Sequence, residues 1–194
     1  MKIQAYSYTD IKEILTLPIN LPYIVNRIMG MGIFIILMAL GAFVRVYLPF
    51  TPVPFTLQTL FVLLAGAFLG SVWGAGTMGL YLLMGACGFP IFAGASCGLL
   101  YILGPTGGYL IGFVVAAWIV GNIIGSGSNH SWAKIIGVLF LATSAIFILG
   151  ITQLILWGKC NLTQALYMGF FPFIPGSIFK IFLAATIIKR FKRR

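Results

Sequence analysis

Acidic side chains are nearly absent from this sequence. Among 194 residues there are two, Asp10 and Glu13, and both precede the first long apolar run. Proton-coupled transport and intramembrane aspartyl proteolysis use buried carboxylates as proton carriers or acid–base groups, so neither chemistry has its side chains here. Cysteine is sparse as well. Cys87, Cys97 and Cys160 form no CxxC redox pair and no metal-ligand spacing. The one histidine, His130, falls in a polar linker, which leaves no nitrogen and sulfur set for zinc; no metal and no cofactor are expected. A cleavable leader is not expected either, because "MKIQAYSYTDIKEILTLPINLPYIVNR" is polar and proline-interrupted, without a short apolar core followed by a small-residue cleavage site. Residues 1–27 are read as a polar N-terminal tail.

What the chain does have is apolar length. Hydrophobic residues make up 61% and charged residues 7%, with a mean hydropathy of +1.10, well outside the range of soluble domains. A spanning helix takes roughly 20 apolar residues, and the spacing predicts six, over about 28–48, 57–73, 75–93 (broken near Gly88 and Pro90), 105–125, 133–157 and 166–190. No alternating barrel pattern is present, and in hydrocarbon the remaining way to satisfy the backbone is the helix. The expected fold is therefore an all-α integral membrane protein, with residues 28–194 as one six-helix domain and irregular Pro/Gly-rich outer loops forming a ligand pocket.

Net charge is +10, yet the basic residues are scattered apart from "KRFKRR" at 189–194. Nucleic-acid binding needs a continuous basic face; a juxtamembrane cluster is better matched to anionic lipid headgroups of the bilayer. Counting cations beside the spans places Lys2, Lys12, Arg27, Lys134, Lys189, Arg190, Lys192, Arg193 and Arg194 on one side and Arg45 and Lys159 on the other. The richer side is predicted cytoplasmic, with both termini on it. Glycines four apart in "GSVWG", "GYLIG" and "GNIIG" read as helix-packing devices. "GPTGGY" at 104–109 lacks the preceding strand and following GK[ST] of a phosphate loop, and no internal repeat is visible.

One charge does not fit this pattern. Lys180, in "PFIPGSIFK", lies about nine residues, or roughly 14 Å of helix, from the basic terminus, and a lysine at a helix centre costs about 2.5–3.5 kcal/mol without a partner or a wet cavity. A backbone carbonyl and snorkelling to the interface are two answers. A cavity open to the outer side that receives an anionic or carbonyl-bearing solute is a third. Pro172 and Pro175 favour the cavity, since they interrupt the helix and free backbone groups. "LPFTPVPFTLQ" (48–58) and "GFPIFAGASCGLLYILGPTGGY" (88–109) reach the same side. They bring aromatics such as Phe55, Phe92, Tyr101 and Tyr109, and small polar groups such as Thr56, Gln58, Ser96 and Thr106, the usual mix of a small-molecule pocket.

These segments carry a resemblance. "FTPVPFTLQTL", "YLLMGACGFPIFAG" leading into "GPTGGY", and "PFIPGSIFK", in that order between about residues 30 and 188, resemble the BioY family, the biotin-specific S components of energy-coupling factor (ECF) transporters. The resemblance implies a six-helix membrane protein that captures biotin from outside with high affinity. It also implies uptake across the cytoplasmic membrane with a coupling transmembrane subunit and two cytoplasmic ATPases, and no enzymatic activity of its own. Lys180 matches the family's binding lysine, and the implied ligand contacts are Lys180, Ser177, Ser96, Tyr109, Gln58, Phe92 and Thr56. The chain departs from the family where Ser177 replaces the acidic residue of PGDxxK, where Ser96 replaces an asparagine of some members, and where Leu110 replaces an arginine of some members. Its first helix also has Ala39 and Ala42 in place of an AxxxA spacing. Two other readings stay open: an S component for a different vitamin or precursor, and a membrane enzyme with Ser96 or Cys97 as nucleophile, for which no nearby base is evident.

Overall fold

The computed structural model describes residues 21–125 and 130–192. In chain order the elements are α1 (Leu21–Phe43), β1 (Arg45–Val46), β2 (Phe55–Thr56), α2 (Gln58–Leu69), α3 (Ser71–Ala86), α4 (Leu99–Leu103), α5 (Gly107–Ile124), α6 (Trp132–Gly158), α7 (Leu162–Gly169), a 3-10 turn (Phe171–Phe173) and α8 (Ile174–Phe191). Among the described residues the regular elements are helices apart from a two-residue antiparallel ribbon, in which Arg45 faces Thr56 and Val46 faces Phe55, and an isolated bridge between Phe92 and Ser96. Period-two alternation over so short a stretch leaves no trace in sequence, so the ribbon was not expected.

Among the described residues, four helical segments are long and apolar enough to cross a membrane: Leu21–Phe43, Gly107–Ile124, Trp132–Gly158 and Leu162–Phe191. Helices α2 and α3, with 12 and 16 residues, reach about 18 and 24 Å against a hydrocarbon core of about 30 Å. They are shorter than the expected spans 57–73 and 75–93 because Gly70, at φ +83°, turns the chain between them, and because α3 stops at Ala86 before Gly88 and Pro90. Helix α1 begins at Leu21, with Pro22 in its first turn where a missing N–H costs nothing, and so takes in seven residues of the expected polar tail. The rest of that tail, including Asp10 and Glu13, lies outside the described residues, as do residues 126–129 of the polar linker.

Helix α5 is central, packed against α2, α3 and α6. Close approach explains its glycines: a Cβ at Gly112 would sit 2.8 Å from Ile146 Cα, one at Gly108 would run into the Leu149 carbonyl, and one at Gly121 into the Gly70–Ser71 backbone. A Cβ at Gly74 would similarly sit 3.0 Å from Gly66 Cα. The expected packing role thus holds for most of these glycines, whereas Gly70 serves the turn. In the last span Pro172 and Pro175 divide α7 from α8. Phe173 N–H donates to the Phe170 carbonyl, which leaves the Gly169 carbonyl free of its helical donor.

With no carboxylate between residues 21 and 192, cations pair with helix ends. Arg27 donates to the Phe68 and Leu69 carbonyls at the end of α2 (3.3 and 3.0 Å), Lys192 to Ile124 and Gly125 at the end of α5 (2.7 and 2.8 Å), and Lys189 to the His130 carbonyl before α6 (2.7 Å). At the ends of α2 and α5 the carbonyls without intrahelical donors carry the negative end of the helix dipole, so the Arg27 and Lys192 contacts satisfy both partners, whereas the His130 carbonyl precedes the start of α6 and gains the hydrogen bond alone. Burial, with Arg27 beside it, holds the Lys192 ammonium below the ordinary lysine range. These bonds gather the start of α1 and the ends of α2, α5 and α8 at one pole, the basic pole.

Candidate functional site

The opposite pole is built differently. Its loops do not cap helices with cations; they fold over a cavity between α2, α5, α6 and α8, a usual place for a small-molecule site in a helical bundle. Lys180 stands at its edge, 5% exposed. Its Nζ donates to the Thr56 carbonyl and, at 3.0 Å, to Thr59 Oγ1, and lies 4.1 Å from the centre of the Phe55 ring. Two of the three ammonium protons are thus used, and the third has no hydrogen-bond acceptor among the described residues. The backbone-carbonyl answer is present, at the edge of a cavity that Lys180 also lines.

Phe55 reaches this position because Gly176 has no side chain; a Cβ there would overlap the Phe55 ring. Phe55 also stacks on Phe173 at 6.1 Å and 16°. The glycine of "PGS" therefore locks the first loop onto α8 and fixes the lysine through Thr56. Ser177, one turn before Lys180 on the same face, is buried and lines the cavity.

Gln58 heads a polar chain. Thr56 Oγ1 donates to Gln58 Oε1 (3.2 Å), Gln58 Nε2 donates to the Tyr81 hydroxyl (2.8 Å), and that hydroxyl donates to the Ile91 carbonyl. A buried amide satisfied on both atoms presents a fixed orientation to the cavity. Tyr109 lines the wall with its ring while its hydroxyl donates to the Gly169 carbonyl at 2.8 Å, the group freed by the proline break. Gly150 and Gly169 give that ring its space, since a Cβ at either would strike it.

Of the seven residues expected from sequence, Lys180, Ser177, Tyr109, Gln58 and Thr56 line the cavity. Ser96 and Phe92 do not. Phe92 is fully buried between Tyr81 and Tyr101, with ring centres 5.6 and 5.1 Å away; it supports Tyr101, which is part of the lining. Ser96 lies in an outer groove that shares Pro54, Ala93, Tyr101 and Thr106 with the cavity. Cys97 is exposed, and the single histidine, His130, is at the basic pole, where its carbonyl accepts from Lys189. Sequence reasoning missed Thr59, Phe113, Thr143, Ile146 and Phe147 on the lining. Thr59 follows Gln58 directly and was within reach; the others are ordinary span residues whose facing depends on helix rotation.

The sequence profile of the BioY family matches residues 11–194. The chain belongs to the BioY family. Its relatives include the biotin transporter BioY of Thermotoga maritima, 35% identical over 168 residues covering 87% of this chain and 96% of that one. The probable biotin transporter BioY of Pyrococcus horikoshii is 38% identical over 159 residues, covering 82% and 91%. In fold, this BioY-family chain is similar to the crystal structure of the S-component for biotin from an ECF-type ABC transporter, with a TM-score of 0.81 and 24% identity over 89% of this chain and 94% of that one. It is a membrane protein whose relatives are named as transporters.

Proposed function

We propose that this chain captures biotin in the Lys180 cavity and serves as the substrate-binding S component of an ECF-type transporter. The carrying observation is a lysine beside a closed polar network in an otherwise apolar cavity, in a chain whose relatives are named biotin transporters. The ureido ring of biotin offers one carbonyl acceptor and two N–H donors. Lys180 has a free donor for the carbonyl, and Ser177 Oγ and Gln58 Oε1 are acceptors for the N–H groups. Phe113, Ile146 and Phe147 suit the fused rings and aliphatic chain.

Helices α2 and α3 complete six crossings as an antiparallel pair joined at Gly70, their shortness offset by the re-entering loops at the cavity pole. The basic pole, with Arg27, Lys134, Lys189, Arg190 and Lys192, faces the cytoplasm of the plasma membrane. Energy then comes from a coupling membrane subunit and two ATPases, consistent with a chain that carries no nucleotide motif.

Titration of the detergent-purified protein with biotin by calorimetry tests this reading. Saturable binding lost in Lys180→Ala supports it. A folded protein that ignores biotin but binds another vitamin would favour the second reading, which Ser177 motivates by removing an acceptor charge from the site.

A further inference from the structure

Gln58 is an acceptor for the ligand only if its amide is turned one way, and that turn is decided outside the cavity. Tyr81, on α3, is fully buried, with its ring edge-on to Phe92 at 5.6 Å and 69°. Its hydroxyl has one proton, and the Ile91 carbonyl, which can only accept, takes it. What remains on that oxygen is lone-pair density, so Gln58 must meet it with Nε2, at 2.8 Å. The amide oxygen is then left facing Thr56, which lines the cavity beside it.

The opposite turn would set Oε1 against a hydroxyl whose proton is already given to Ile91. Two acceptors would then face each other in a buried place, and Nε2 would lose its acceptor. The Ile91 carbonyl is itself held by a folded loop. Ile91 N–H donates to the Phe89 carbonyl at 2.8 Å, Phe92 N–H to the Ser96 carbonyl at 3.1 Å, and Gly98 N–H to the Gly85 carbonyl at 2.7 Å. Neither Tyr81 nor Ile91 is part of the cavity lining, yet together they set the polarity of an amide that is.

Thr56 joins this chain to Lys180. Its hydroxyl donates to Gln58 Oε1 at 3.2 Å, and its carbonyl accepts from Lys180 Nζ. An amide oxygen accepts two hydrogen bonds, and among the described residues Thr56 supplies one. A single residue therefore ties a cationic donor to a neutral acceptor of fixed direction, the complement of a ring N–H beside a carbonyl, as in a cyclic urea or a lactam. We propose that Tyr81 is a positioning residue for the ligand: by giving its proton to Ile91 it holds Gln58 as an acceptor, and the cavity selects a ring N–H over a ring oxygen. This rests on the biotin reading above.

The test compares biotin with its two oxazolidinone analogues, in each of which a ring oxygen replaces one ureido N–H at nearly equal size. Calorimetry is run on wild type, Tyr81→Phe, Gln58→Leu and a chain with an amino group in place of the Tyr81 hydroxyl (4-aminophenylalanine). Wild type is expected to bind biotin at least about tenfold more tightly than one of the analogues, the range of a buried neutral hydrogen bond left unmade. Tyr81→Phe frees the amide to turn, so biotin should weaken while that analogue holds or gains, and the ratio should fall toward one. The amino group keeps a bond to Ile91 and adds a donor toward Gln58, so it should lower the ratio likewise; it carries the test if Tyr81→Phe does not fold. Gln58→Leu should remove the preference with Tyr81 still bonded to Ile91. A purely structural Tyr81 would weaken biotin and analogue alike. That unchanged ratio, or equal wild-type affinities for biotin and both analogues, overturns the assignment while leaving biotin capture intact. A folded wild type that binds none of the three compounds overturns biotin capture itself and the Tyr81 role with it.

Discussion

The two poles of this molecule solve the same problem in opposite ways. Each places cations among helix ends in a region with no carboxylate. At the basic pole Arg27 and Lys192 spend their donors on helix-end carbonyls and Lys189 on the His130 carbonyl ahead of α6, and the result is a set of closed clamps. At the cavity pole, among the described residues, Lys180 has one proton without an acceptor and Arg45 has a covered Nη1 without one. The difference teaches that a buried cation without a carboxylate is by itself uninformative; its unfilled donors are what separate a fastening from a binding group.

Substitutions at the two poles can break or sharpen this contrast. The largest effect is expected from Lys180→Ala, which should weaken biotin by about 100-fold, the upper range for a hydrogen bond to a charged group, with the melting temperature nearly retained; calorimetry beside a thermal melt decides, and unchanged affinity would erase the contrast. Tyr109→Phe removes the donor to the Gly169 carbonyl and should cost about 2 kcal/mol of stability, as for a buried acceptor left unpaired. The readout is a lowered melting temperature with biotin affinity altered only a few-fold. Ser177→Asp adds a charged acceptor beside Lys180 and should tighten biotin by about tenfold, as charge-assisted bonds are roughly twice as strong as neutral ones; weaker binding would mean that the serine marks a different ligand. The smallest effect belongs to Arg27→Met at the basic pole, about 1 kcal/mol of stability from a lost helix-end contact, with biotin affinity unchanged in the same titration.

Much of this was legible in the sequence. Apolar run lengths gave the helices, and the isolation of Lys180 in "PFIPGSIFK" pointed to the cavity. Pro172 and Pro175 marked the break whose freed carbonyl Tyr109 takes up. Less legible was everything set by contact between segments distant in sequence. The burial of Phe92 behind Tyr101 depends on how the 88–98 loop folds back on Gly85, which itself must be glycine because a Cβ would strike the Phe92 ring. Thr143 and Phe147 face the cavity through the rotation of α6, and an apolar helix with no polar stripe carries no sign of its rotation. Gly70 reads as half of a four-residue glycine pair, and its positive φ becomes visible only once the chain is folded.

The pairing of cations with carbonyls has a consequence for acid. Proteins usually come apart at low pH because carboxylates that were paired in the native state take up protons. Residues 21–192 contain no such group, and amide carbonyls keep their acceptor character where carboxylates lose theirs. The clamps of Arg27 and Lys192 and the seat of Lys180 therefore contain no acceptor that acidification discharges, unlike an ordinary salt-bridge network.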